Sequence, residues 1–120
     1  MRRLIIEMGQ GVDLHGRDYT KAAGRAIDDA LRHSSLHIVK TLKLPPDDVQ
    51  IKVTLGVQQP TVVETEGLKA KFPFGKVTIT AVSGGMDLIH DDGDTQVVAS
   101  AAIEVFLPEQ SGWRLRESGR

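Results

Sequence analysis

The chain has 120 residues, 40% hydrophobic and 26% charged, with 15 basic and 16 acidic side chains and a formal net charge of −1. That size suits one domain with a single core, and the absence of cysteine excludes disulfides, thiolate metal sites and a cysteine nucleophile. Well-mixed charge and few aromatics argue against a nucleic-acid surface, and no stretch reaches the ~20 apolar residues of a bilayer span.

The opening "MRRLIIEMG" is too short an apolar run for a secretory signal and is interrupted by Glu7, so the expected location is the cytoplasm. Leu4 to Met8 reads as a short strand stopped by Gly9. From Asp18, an expected N-cap, the residues Ala22, Ala23, Ala26, Ile27, Ala30 and Leu31 recur at helical spacing. Ser34 or Ser35 is placed to cap a short second helical piece through Leu42, which "LPPDD" ends. Val49 to Val57 alternates cleanly and predicts a strand. "TVVETEGLKAKF" suits either an extended segment or a short helix over Glu64 to Phe72, and "FPFG" then turns the chain into a strand from Lys76 to Val82. "SGGMDLIHDDGD" reads as a hairpin loop or excursion before a last strand from Thr95 to Leu107. Residues 1–108 thus form one domain, and 109–120, ending in "WRLRESGR", are expected to be a flexible tail.

The order β-α-β-α-β-β predicts an α+β two-layer sandwich, a mixed four-stranded sheet with helices on one face. Alternation assigns Glu7, Gln50, Lys52, Thr54, Thr78, Thr80, Ser100 and Glu104 to the other face, with Val98, Ala102 and Phe106 among them. That mixture fits a face partly covered by another subunit, so a homo-oligomer is expected.

The segments "EMGQGVDLHGRDYTKAA", "FPFG" and "AAIEV" resemble a small bacterial family first named for a Listeria reading frame, over nearly all of residues 3–107. The family has no established activity, and tyrosine is usual in it where this chain has Phe74. The resemblance implies a fold similar to chorismate-mutase-like and YjgF-like sandwiches and to the C-terminal domain of tubulin-type proteins. Several of those assemble as rings or trimers, sheets inward, with ligand sites between subunits. A fainter likeness of "AIDDAL…PPDDVQIKVTL" is to the repeat unit of cyclic-amide ring-opening hydrolases, in which a strand lysine belongs to the active site.

The candidate chemistry centres on the loop between the first strand and the first helix, where free backbone N–H groups and the helix dipole converge. Gly9, Gly11 and Gly16 would let backbone approach a ligand or supply positive φ, and Asp18, Lys21 and Thr54 are candidate binding residues. Neither GxGxxG nor a P-loop is present, and "HDDGDT" lacks the spacing of a calcium loop. His15 is the candidate for proton transfer, with Asp13 orienting it, Lys52 holding an anionic or carbonyl group, and Glu7 pairing or receiving a proton. No organic cofactor is expected. A divalent metal would need Glu7 or Glu104 to join Asp13 and His15. The expected function is binding of a small polar metabolite between subunits, with acid-base or hydrolytic chemistry at that site. A non-catalytic effector sensor or oligomeric scaffold is the alternative, in which Lys52 forms an inter-strand ion pair with Glu7 or Glu104 and the loop is a capped turn.

Overall fold

The computed structural model describes residues 1–33 and 44–108. The second helical piece expected through Leu42 and the expected tail lie outside these residues. The described elements are β1 (Arg2–Asp13), α1 (Tyr19–His33), β2 (Gln50–Val57), α2 (Thr65–Leu68), β3 (Lys76–Ser83), β4 (Met86–Ile89) and β5 (Thr95–Leu107). This is the expected α+β arrangement with one short strand added. Met86–Ile89 is not a free excursion but pairs with the start of β5.

β5 is the spine of a mixed sheet ordered β1-β5-β2-β3. From Val97 to Leu107 it pairs antiparallel with β1. Its other edge pairs antiparallel with β2 from Ser100 to Phe106 and with β4 from Thr95 to Val98. β3 runs parallel to β2. The chain then crosses the end of β2, where Gly84 donates its N–H to the Val57 carbonyl, and descends as β4.

Helix α1 presents Ala22, Ala23, Ala26, Ile27 and Ala30 to the sheet, all fully buried. They meet Ala99, Ala101 and Ile103 of β5 and Val53 and Leu55 of β2 in one core, which Leu68 and Phe72 close at the side of α2. Asp18 caps α1, its Oδ1 accepting the Lys21 backbone N–H at 3.0 Å. Arg32 and His33 complement the dipole at the other end.

Two sequence expectations change at β1. Gly9 does not stop the strand, which continues to Asp13. Gly9 and Gly11 lie beneath α1. A Cβ on Gly9 would stand 2.4 Å from the Ala30 nitrogen, and one on Gly11 would stand 2.2 Å from both the Ala22 carbonyl oxygen and the Ala26 nitrogen. Helix backbone, not a ligand, occupies the space these glycines leave. The phase of β1 also differs. The register shifts between Arg3 and Ile5, and Glu7 then pairs with Ile103 on the helix-covered side, half-buried. The uncovered side of β1 carries Ile6, Met8, Gln10 and Val12 instead. The bulge before Ile5 inverts the faces that unbroken alternation would give.

Helix α1 engages one backbone group on the outer edge of β1. Asp29 on α1 accepts the Gln10 N–H at 2.9 Å, and this bond is the main reason its carboxyl sits below the usual range.

Gly11→Ala is expected to destabilise the protein by about 1–3 kcal/mol, since the added methyl must push helix backbone away. Gly67→Ala, in α2 with open space around it, is expected to stabilise by about 0.5–1 kcal/mol. Thermal unfolding of both variants checks the pair, and equal melting points would remove the close-packing account.

Candidate functional site

Because β1 runs to Asp13, the loop into α1 is only Leu14 to Asp18. It makes a tight reversal in which Gly16 (φ 89°) and Arg17 (φ 50°) are both left-handed. For Arg17 this costs roughly 1–2 kcal/mol, so other contacts must hold it there. Two side chains supply them on consecutive residues of the β4–β5 hairpin. His15 Nδ1 lies 2.5 Å from Asp94 Oδ2, and the Arg17 guanidinium donates to Thr95 Oγ1 at 2.7 Å.

Asp94 is itself shaped by local bonds. Its Oδ1 accepts the Thr95 N–H at 3.0 Å, and its own N–H donates to Asp92 Oδ1 at 2.9 Å. The His15 hydrogen bond is the largest cause of a carboxyl pKa below the ordinary value. An ionised carboxylate only accepts, so the shared proton sits on Nδ1 and Nε2 faces outward. The imidazole is open to solvent, its side chain 82% exposed.

Asp13 does not orient His15 as expected; Asp94 does. Asp13 is the last residue of β1 and points to the helix side, with its side chain 3% exposed. There it accepts the Asp18 N–H at 2.9 Å and faces Lys21 Nζ at 3.6 Å and Arg25 Nη1 at 3.9 Å. A buried carboxylate needs such company, and this set ties the loop's end to the first turns of α1. Arg25 also donates to the Val12 carbonyl at 2.6 Å.

A second couple lies beside the loop. The Tyr19 hydroxyl donates to Asp87 Oδ2 at 2.5 Å, joining the start of α1 to β4. Asp87 faces Val97 across the ladder, as Asp13 does from the other side. Its Oδ1 is shielded and has no hydrogen-bond partner among the described residues. Burial first, and then the Asp87 carboxylate, push the Tyr19 phenol above its ordinary value. Nothing in the spacing of Asp87 or Asp94 tied them to this loop; tertiary pairing of β4 with β5 brings them there.

Lys52 is elsewhere. It lies on the uncovered face opposite Glu104, ten positions along β5 from Asp94, or roughly 33 Å at ~3.3 Å per residue. Within one chain it does not meet His15. The expected inter-strand ion pair of Lys52 with Glu7 or Glu104 is also not formed. Arg3 takes Glu104 at 3.1 Å, and Lys52 has no acidic partner among the described residues. It lines a shallow recess of ≈ 330 Å³ with Gln50, Lys76, Thr78 and Phe106. Thr54, half-buried between Ala102 and Thr80, stands on the same face. Among the described residues no three His, Asp or Glu side chains gather as a metal-ligand set, so Asp13, His15, Glu7 and Glu104 do not converge on a cation.

These features define an α+β protein with helices on one side of a mixed sheet and a charged loop cluster at one end. The family described as "Conserved hypothetical protein (Lin0512_fam)" matches residues 3–105, and the chain belongs to it. No curated protein matches the chain. Among solved structures, it is similar to an FtsZ-like protein of unknown function from Nostoc punctiforme, at 37% identity and a TM-score of 0.80, over 90% of this chain and 97% of that one. No helix among the described residues is long and apolar enough to cross a membrane.

The sequence's one tyrosine makes the second couple directly measurable. Ultraviolet titration is expected to give a phenol midpoint above 10.0, and Asp87→Asn is expected to lower it without removing the contribution of burial. A raised pKa adds stability below the unfolded value that is lost as pH rises toward the folded one, so Tyr19→Phe is expected to flatten the alkaline limb of unfolding. An ordinary midpoint in the wild type would contradict the buried couple.

Proposed function

We propose that the protein binds a small polar metabolite at the loop that carries His15 and Arg17, and that it acts in the cytoplasm, as the sequence suggests. The observation that carries this reading is the His15–Asp94 pair. It joins residues 79 apart in sequence at 2.5 Å through Nδ1, on an imidazole side chain that is 82% exposed. Beside it Arg17 spends one hydrogen bond on Thr95, which leaves most of its five N–H groups for a ligand. A carbonyl or carboxylate oxygen is the complementary group, since Arg presents paired donors and the imidazole can donate or accept a proton. Gly16, Asp18 and Lys21 support the loop from behind.

Binding is placed ahead of turnover. An imidazole this open to water sits in high dielectric, where acid-base groups gain little from their surroundings. Proton transfer by His15 becomes effective only where a ligand or second chain excludes that water. Lys52 and Glu7 take no part in this site.

A thermal-shift series with inorganic phosphate, small mono- and dicarboxylates and amino acids tests the reading. A true ligand at a hundred times its Kd is expected to add about 2.7 kcal/mol, and His15→Ala and Arg17→Ala are each expected to abolish that gain. If no probe moves the melting point or the His15 Nε2 resonance, while His15→Ala still loosens the loop, the pair is a structural tie and the scaffold reading replaces this one. Acid titration is an independent check on the pair. The lowered Asp94 pKa contributes stability above its unfolded value that is lost as pH falls through the folded one. Asp94→Asn is therefore expected to shrink the stability lost on acidification.

A further inference from the structure

The side of the sheet away from the helices has no cover among the described residues, and its side chains are sorted along the strands. At its middle lie Met8, Val12, Val82, Val98, Ala102 and Met86, aligned across the ladders. Several are well exposed for their type, with Met8 at 65%, Met86 at 53% and Val82 at 41%. A contiguous apolar band of this kind on a single chain marks an interaction surface.

The two ends of the face carry opposite charge. At the end where β5 finishes stand Arg3, Lys52 and Lys76, with Glu104 already bound to Arg3. Lys52 and Lys76 make no ion pair among the described residues, and Asp47 and Asp48, on the turn before β2, do not engage them. At the other end the β4–β5 turn carries exposed Asp91 and Asp92.

We propose that a second copy of this chain covers the face, strands antiparallel, about a two-fold axis that lies between the sheets and crosses β5 near Val98 and Ser100. Such an axis reverses the strand direction but keeps lateral position. It therefore sets the Asp91–Asp92 turn of each copy over Lys52, with Lys76 within side-chain reach, while the apolar bands meet at the centre. A contact with opposite charge at its two ends is self-complementary only in this antiparallel sense; parallel stacking would set cation on cation. The area also suffices. β5 has 13 residues, roughly 43 Å long, and four strands abreast are roughly 19 Å wide, so each copy offers on the order of the ~800 Å² that a stable interface buries per partner. Aligned packing of two twisted sheets is a standard sandwich geometry. This pairing stands apart from the ligand reading and does not depend on it.

Analytical ultracentrifugation of the full chain is expected to give twice the mass of one protomer. Met8→Glu, an exposed position that the fold does not need, is expected to weaken association at least tenfold with an unchanged circular dichroism spectrum, and Met86→Glu is expected to do the same. Asp91→Lys with Asp92→Lys makes both ends positive, and Lys52→Glu with Lys76→Glu makes both negative. Each double variant alone is expected to dissociate, and their mixture is expected to recover the dimer. A wild-type chain that stays monomeric at its highest soluble concentration would overturn the proposal. So would a dimer indifferent to Met8→Glu, or charge variants that do not complement each other.

Discussion

The contact on which the rest depends is the seating of α1 directly on β1. Gly9 and Gly11 present no side chain, the helix presents alanines, and backbone meets backbone. The gain is dense packing over the β1–β5 pair, where dispersion contacts are many and voids few. The larger consequence is positional. With the helix held this low, its first turn begins within a few residues of the end of β1, and the link between them must be a tight reversal. That is why Gly16 and Arg17 adopt left-handed backbone, and why buried Asp13 is needed to hold the entry of the helix through the Asp18 N–H and two cations.

The same seating leaves the molecule one-sided. Both described helices lie on one face, so among the described residues the other face of the sheet is left without cover. An antiparallel sheet tolerates water there when the outward positions are polar. Here Gln50, Lys52 and Thr54 of β2 and Lys76, Thr78 and Thr80 of β3 meet that condition, with Val82 the exception. β1 and β4 do not. The bulge before Ile5 shifts Glu7 inward and Ile6 and Met8 outward, and β4 adds Met86 and Leu88. A single-residue irregularity thus changes the chemistry of a whole face.

How much of this was legible in the residues follows from the kind of signal each element carries. β2, β3 and β5 have strict period-two alternation, and their bounds and faces follow from it. α1 was legible from its alanine spacing and its Asp18 cap. β1 was not, because glycine inside a strand reads as a stop unless one knows that a helix lies across it, and a bulge leaves no mark in composition. β4 was missed because four residues flanked by glycine and aspartate look like turn, and pairing with β5 overrides that local preference. The site was legible by half. The loop's density of Asp, His, Arg and Gly marked it as held in place, but its partners Asp87, Asp94 and Thr95 lie some 70 to 80 residues away and are recruited by tertiary structure alone. Lys52 was placed on the correct face, yet its neighbour Glu104 went to Arg3, a competition between two cations that strand register does not decide.

That competition carries the last step. An aspartate-rich turn at one end of an apolar band, and two lysines without an acidic partner among the described residues at the other, would each be an ordinary solvated surface on its own. Together on one face they are opposite in sign and separated by the length of β5. The His15 loop is anchored to the residues that follow the acidic turn, so docking of that turn against a second copy would lower water access to the imidazole without altering its bond to Asp94. Self-association and ligand binding would then involve the same β4–β5 hairpin. A loop pinned to the β4–β5 hairpin feels whatever covers that hairpin, and the open Nε2, solvated in the single chain, would gain electrostatic strength as water leaves.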